Sequence, residues 1–120
     1  MLAYFNGEVT PDTGAVERAL SEGIAVLPPV VLTEVLSFPA VPPELVENLE
    51  ALPRLELDEG YWVRGGWFQA ALLRAGTKAR LADTLIATSC IDHDAVLITR
   101  DTDFRHFTRF GLRLAGPEQE

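Results

Sequence analysis

The sequence predicts an α/β layered fold with a mainly parallel sheet. Two observations carry this. Short apolar runs of strand character, at 24–27 and 95–99, alternate with segments of helical period. The chain has 120 residues, of which 48% are apolar, enough for one substantial core and too few for two. A single domain over residues 1–120 is therefore expected. Ligands in such folds gather at the carboxyl ends of the strands.

The elements follow in order. Residues 14–22 read as a helix, with Val16, Ala19 and Leu20 on one face and Gly23 as its stop. Ile24-Ala25-Val26-Leu27 reads as a short buried strand, closed by Pro28-Pro29, which also suit a helix start. Residues 30–38 form an apolar helix despite their β-branched content. Residues 43–52 follow, with Leu45, Leu49 and Leu52 at helical spacing, and 54–58 alternate as a strand would. Residues 61–75 read as a helix ended by Gly76, with Gly65-Gly66 as its weak point. A helix over 78–93, a buried strand over 95–99, a helical turn over 102–109 and a last strand at 112–114 complete the chain.

Composition excludes several classes of function. No apolar run reaches the roughly 18 residues of a membrane span, and no stretch reads as a signal peptide, so the cytosol is the expected compartment. One cysteine, Cys90, rules out an internal disulfide framework and a cysteine zinc cluster; a small buried residue is expected there. The net charge is −8, which opposes holding nucleic acid by bulk electrostatics. The charge is unevenly spread. Residues 1–60 carry 11 acids and 2 bases, whereas residues 61–120 carry 7 acids and 8 bases. A polyanion should bind through the second half.

Three groups of acids fall where a solvated face would not put them. Glu34 lies between Val30-Val31-Leu32 and Val35-Leu36, where an unpartnered charge is costly; the alternative is a surface or capping glutamate. Asp83 has Ile86, Ala87 and Cys90 above it at helical spacing, an apolar stripe; the alternative is a charge favouring the helix dipole. Asp101 and Asp103 directly follow the strand at 95–99, and capping of the next turn accounts for one of them more easily than for both. Clustered carboxylates raise one another's pKa, a conflict that a divalent cation resolves. An ion such as Mg²⁺ or Mn²⁺ also supplies an activated water for attack on a phosphodiester. Arg100, Arg105 and Arg109 lie close by in sequence and could contact RNA phosphates or a protein partner; an ordinary solvated face is the alternative. Trp62, Trp67 and Phe68 suit core or dimer-interface anchors.

Leu81-Ala82-Asp83-Thr84-Leu85-Ile86-Ala87 resembles the D-x-L-I-A helix of PIN domains, the fold of the toxin ribonucleases of VapBC-type toxin–antitoxin pairs. Leu97-Ile98-Thr99-Arg100-Asp101-Thr102-Asp103-Phe104 is similar to the same family's L-x-T-x-D-x-D-F segment, and Val31-Leu32-Thr33-Glu34-Val35-Leu36 to the helix bearing its glutamate. The resemblance implies a three-layer α/β/α fold with Mg²⁺- or Mn²⁺-dependent cleavage of single-stranded RNA. It implies Glu34, Asp83 and Asp101 as catalytic metal ligands, direct or through water. Asp103 would be an accessory acid at the metal and Thr99 a support. The implied partners are RNA, a cognate antitoxin and a second copy of the chain. One departure stands out. The family opens with a strand ending in aspartate, and Met1-Leu2-Ala3-Tyr4-Phe5-Asn6-Gly7-Glu8 resembles the stretch after that acid. The first strand and its aspartate are thus expected to be missing, through an internal start or a truncation. That motivates an alternative: an impaired PIN-like module that binds antitoxin or RNA without cutting. Asp101-Thr102-Asp103 is also similar to the D-x-D motif of haloacid dehalogenase-like phosphatases, but only 17 residues follow it, too few for the rest of that fold.

Overall fold

A computed structural model describes residues 2–4, 25–99 and 101–115. Among these residues four strands form one parallel sheet in the order β2-β1-β3-β4: β1 (Leu2–Tyr4), β2 (Ala25–Val26), β3 (Val96–Ile98) and β4 (Arg113–Ala115). Ala3 pairs with Val26 on one side and Leu97 on the other, and Leu97 pairs in turn with Leu114. This corrects one expectation. The first strand is not missing: Leu2–Tyr4 is an interior strand of the sheet. The residues after it, Phe5-Asn6-Gly7, carry no acid. The helix expected at 14–22 lies outside the described residues.

The strand expected over 54–58 is also corrected. It shrinks to a single parallel bridge between Leu27 and Arg54, with the Leu27 N–H donating to Pro53 O (2.7 Å) and the Leu55 N–H to Leu27 O (3.0 Å). The ladder cannot continue past Leu27, because Pro28 and Pro29 carry no N–H and turn the chain into a helix.

Helices α1 (Pro29–Leu36) and α2 (Pro43–Ala51) both begin with proline at the first helical position, where the missing N–H costs nothing. Val31 and Val35 bury the inner face of α1, and Leu49 that of α2. Helix α3 (Tyr61–Arg74) stops at Gly76, whose φ of +84° lets Gly76 N–H reach Leu73 O and Thr77 N–H reach Leu72 O. Helix α4 (Leu81–Asp92) is the middle of the molecule. Ile86, Ala87 and Cys90 are wholly buried, and Thr88 and Ser89 return their hydroxyls to Thr84 O and Ile86 O. Helices α1 and α3 both pack on α4. Among the described residues no helix is long and apolar enough to cross a membrane.

The two glycines of α3 differ. A Cβ on Gly65 would come within 2.6 Å of Leu85 Cδ2, whereas one on Gly66 would meet nothing within 4 Å. Gly66→Ala should therefore stabilise the fold by about 0.5–1 kcal/mol, the usual gain for relieving an exposed helical glycine. Gly65→Ala should lose that gain in displacing Leu85. Paired thermal melts read the difference; equal midpoints for the two variants would contradict this packing.

Thr102–Phe110 is a 3-10 helix, and its sequence explains why an α-helix did not form. The segment is a triplet repeat, Thr-Asp-Phe, Arg-His-Phe, Thr-Arg-Phe. At three residues per turn, positions i and i+3 eclipse, so the three phenylalanines stack on one ridge. Phe104 and Phe107 are buried, and Phe68 of α3 meets Phe107 and Phe110 edge-on at 5.8 and 5.0 Å. The tryptophans do not join this core. Trp62 and Trp67 stand 57% and 71% exposed on α3, with Val63 and Leu73 exposed beside them.

Candidate active site

The site is built at the carboxyl end of β3 and the first turn of α4. Beyond β3, the buried Thr99 hydroxyl accepts the Asp101 N–H at 3.0 Å. That bond fixes the backbone of Asp101, whose Oδ1 then accepts the Asp103 N–H at 2.8 Å and caps the 3-10 helix. The other oxygen, Oδ2, lies 3.8 Å from Arg80 Nη2. Asp101 is thus both a cap and a half-buried acid facing inward. Asp103 is exposed at the rim.

Asp83 is 3% exposed on the first turn of α4, and Arg80 Nε approaches its Oδ2 at 3.4 Å. Arg80 therefore faces both aspartates. Glu34 comes from α1. Its Oε2 is buried and has no hydrogen-bond partner, a costly state for a carboxylate oxygen.

The electrostatics agree with this placement. Burial pushes the Glu34 carboxyl above the usual range, the Asp83 charge adds to it, Arg80 opposes, and Asp101 raises it further. Burial also raises Asp83; Arg80 pulls it back, and Asp101 and Asp103 push it up. Arg80 is held more firmly protonated, chiefly by Asp83. The structure thus brings Glu34, Asp83 and Asp101 into one electrostatic group around one guanidinium, with Thr99 beneath and Asp103 at the edge. Among the described residues no three acidic, histidine or cysteine side chains already stand in ligating array. Hard cations such as Mg²⁺ use one or two carboxylates and keep several waters, so the donor types suit one without a closed cage.

Arg105 and Arg109 project from the polar ridges of the 3-10 helix, whereas Arg100 lies outside the described residues. Two contributors were not singled out by sequence. Arg80 stands at the N-terminal cap position of α4, and its approach to Asp101, 21 residues on, depends on the tertiary fold. Gln69 of α3 donates to Ala79 O at 2.8 Å and accepts the Thr84 hydroxyl, which ties α3 to the segment that sets Asp83 in place. No local pattern marks a glutamine for that work.

The family model of the PIN domain matches residues 1–109. No curated protein sequence is significantly similar to the chain. Among solved structures it is similar to a chain of DNA-bound VapBC from Salmonella typhimurium, at 20% identity and TM-score 0.66, covering 97% of this chain and 98% of that one. It is also similar to a chain of VapBC2 from Rickettsia felis bound to a promoter DNA fragment, at 18% identity and TM-score 0.64, with 97% and 98% covered. A third is VapBC-5 from Mycobacterium tuberculosis, of the VapBC family of toxin–antitoxin systems, at 16% identity and TM-score 0.63, with 96% and 95% covered. At these identities the structural likeness is one of fold, and with the family match it leads to one conclusion: the chain belongs to the PIN domain family.

Proposed function

We propose that this chain is a metal-dependent endoribonuclease that cleaves single-stranded RNA, the toxin of a type II toxin–antitoxin pair acting in the cytoplasm. The observation that carries the reading is the Glu34–Asp83–Asp101 group, with one carboxylate oxygen of Glu34 buried and unpartnered. Family membership and the likeness to toxin–antitoxin structures support it. The apolar side chains exposed on α3 support a protein partner, an antitoxin or a second copy.

The oxygen-only donors fit Mg²⁺ or Mn²⁺. Asp83 and Asp101 would hold the ion, Glu34 and Asp103 would hold it directly or through water, and Thr99 keeps Asp101 in place. The ion supplies an activated water and charge stabilisation at the phosphate. Glu34 Oε2, raised in pKa and without another partner, suits acceptance of a proton from the attacking water. Arg80 neutralises the aspartates until an ion does so.

The test is cleavage of single-stranded RNA by the purified chain in Mg²⁺ or Mn²⁺, with loss in chelator. Asp101→Asn should lower the rate by at least about a hundredfold, beyond the 10–100-fold typical of an outer-shell partner. Asparagine still caps the 3-10 helix, so the fold should survive. The absence of acid in Phe5-Asn6-Gly7 after β1 favours one second reading, the impaired module. Binding of RNA or antitoxin without cleavage in either metal would establish that reading instead.

A further inference from the structure

Along the 3-10 helix that Asp101 caps lies a pocket of different character. It has a volume of about 280 Å³ and is lined by Thr77, Arg105, His106, Thr108 and Arg109, with no acid among them. The chain as a whole carries a net charge of −8, so a lining of two guanidiniums, an imidazole and two hydroxyls runs against the composition. Long-range attraction does not bring a polyanion to this protein; a local cationic pocket has to hold it.

The 3-10 register builds the pocket. With Phe104, Phe107 and Phe110 on the inner ridge, Arg105 and Thr108 share a second ridge and His106 and Arg109 a third. The Thr108 hydroxyl donates to Arg105 O at 2.9 Å, and the Arg109 guanidinium lies 4.8 Å from the centre of the Phe110 ring, which steadies its plane. Thr77 closes the pocket from the α3–α4 connection. One wall is the 3-10 helix that Asp101 caps and that carries Asp103; the other is the connection leading into α4, the helix of Asp83. Thr77 is three residues before Arg80, and Arg105 is two residues after Asp103.

We propose that this pocket is a phosphodiester-binding subsite for single-stranded RNA. It grips a backbone phosphate away from the scissile one, and the strand runs from it past Asp101 to Asp83. The planar forks of Arg105 and Arg109 match phosphate oxygens, and a backbone contact is independent of base identity. The inference rests on the nuclease reading for its choice of polyanion.

The test separates the two. Binding of an uncleavable 2′-O-methyl oligoribonucleotide to the full chain is measured by fluorescence anisotropy over a range of salt. Arg105→Gln/Arg109→Gln should weaken binding by roughly 10–100-fold and flatten the log–log salt dependence by about one unit or more, as expected for two lost phosphate contacts. Arg54→Gln/Arg74→Gln removes equal charge elsewhere and should stay within about twofold of the parent chain. Equal weakening by the two double variants would overturn the subsite, and so would no weakening by either, even if the parent chain cleaves RNA. If the parent chain cleaves no RNA, the nuclease reading fails, and the contrast between the double variants still decides the pocket. Tighter, arginine-dependent binding of an oligoglutamate of equal charge would overturn the proposal in favour of an acidic protein partner.

Discussion

Asp83→Asn is expected to remove metal-dependent cleavage, by at least about a hundredfold, and to raise the thermal midpoint of the metal-free protein at neutral pH. The two effects have one cause. Asp83 is nearly fully buried, and burial is the main reason its pKa lies above the ordinary value of 3.8. Glu34 is raised above 4.5, again by burial first and by Asp83 second. A carboxyl raised in the folded state binds protons more tightly there than in the unfolded chain. Its contribution to stability is full below the unfolded value and is lost as pH climbs through the folded one. At neutral pH the ionised Asp83 is therefore a burden on the metal-free fold. Asparagine has the same shape without the charge, and it relieves Glu34 as well. The Arg80 contact that it gives up is worth little, because Arg80 is 68% exposed. A gain of about 1 kcal/mol, or a few degrees, is the expected scale.

The parent chain should respond to pH and to the ion where the variant does so only weakly. Its metal-free stability should fall as pH rises above about 4, and Mg²⁺ should restore stability at neutral pH through mass action. The variant should show a flatter pH profile and little response to Mg²⁺. Scanning calorimetry between pH 4 and 8, with and without the ion, reads all four. A variant less stable than the parent at neutral pH, or equally stabilised by Mg²⁺, would contradict the assignment of Asp83 as a buried ligand.

The second large effect is on stability alone. Phe107→Ala should cost about 3–5 kcal/mol, the usual range for truncating a buried aromatic, and that is a large share of a small domain's total. Phe107 is 1% exposed and is held between Phe104 and Phe68. Phe110→Ala, on the same ridge but 42% exposed, should cost well under half as much. Urea unfolding gives both values. Similar losses would mean that the segment does not keep its threefold register. Because Asp101 caps this helix, loss of Phe107 should also loosen the acid and lower RNA cleavage even where the protein remains folded.

Glu34 and Asp83 stand out because each breaks an apolar surrounding, and Asp101 and Asp103 because they directly follow a buried strand. Asp83 sits under Ile86, Ala87 and Cys90, all three of them wholly buried, and a charge in that stripe needs a reason. The helix ends were legible through proline and glycine. Other features were hidden by the limits of pattern. Leu2–Tyr4 is three residues long and has no acid in the three residues after it, so it resembles the stretch beyond a strand more than the strand itself. Leu55 and Leu57 alternate as strand residues do, yet only Leu55 is buried, and the prolines at 28 and 29 deny the ladder its donors. Phe104 and Phe107 lie three apart, a spacing common to both helix types. It took the third phenylalanine, at 110, to separate them. Arg80 and Gln69 act between elements, where the period within any one element does not show the contact.

The threefold repeat also governs how this segment can change length. Inserting or deleting a single residue between 102 and 110 would rotate every later side chain by a third of a turn. It would drive Arg105 or His106 inward and bring phenylalanine to the surface. A change of one whole triplet would preserve the seam and move only the pocket's depth. The segment's reading frame is thus one of three residues, as a gene's is of three bases, and natural or designed variants that keep their fold should differ here by multiples of three.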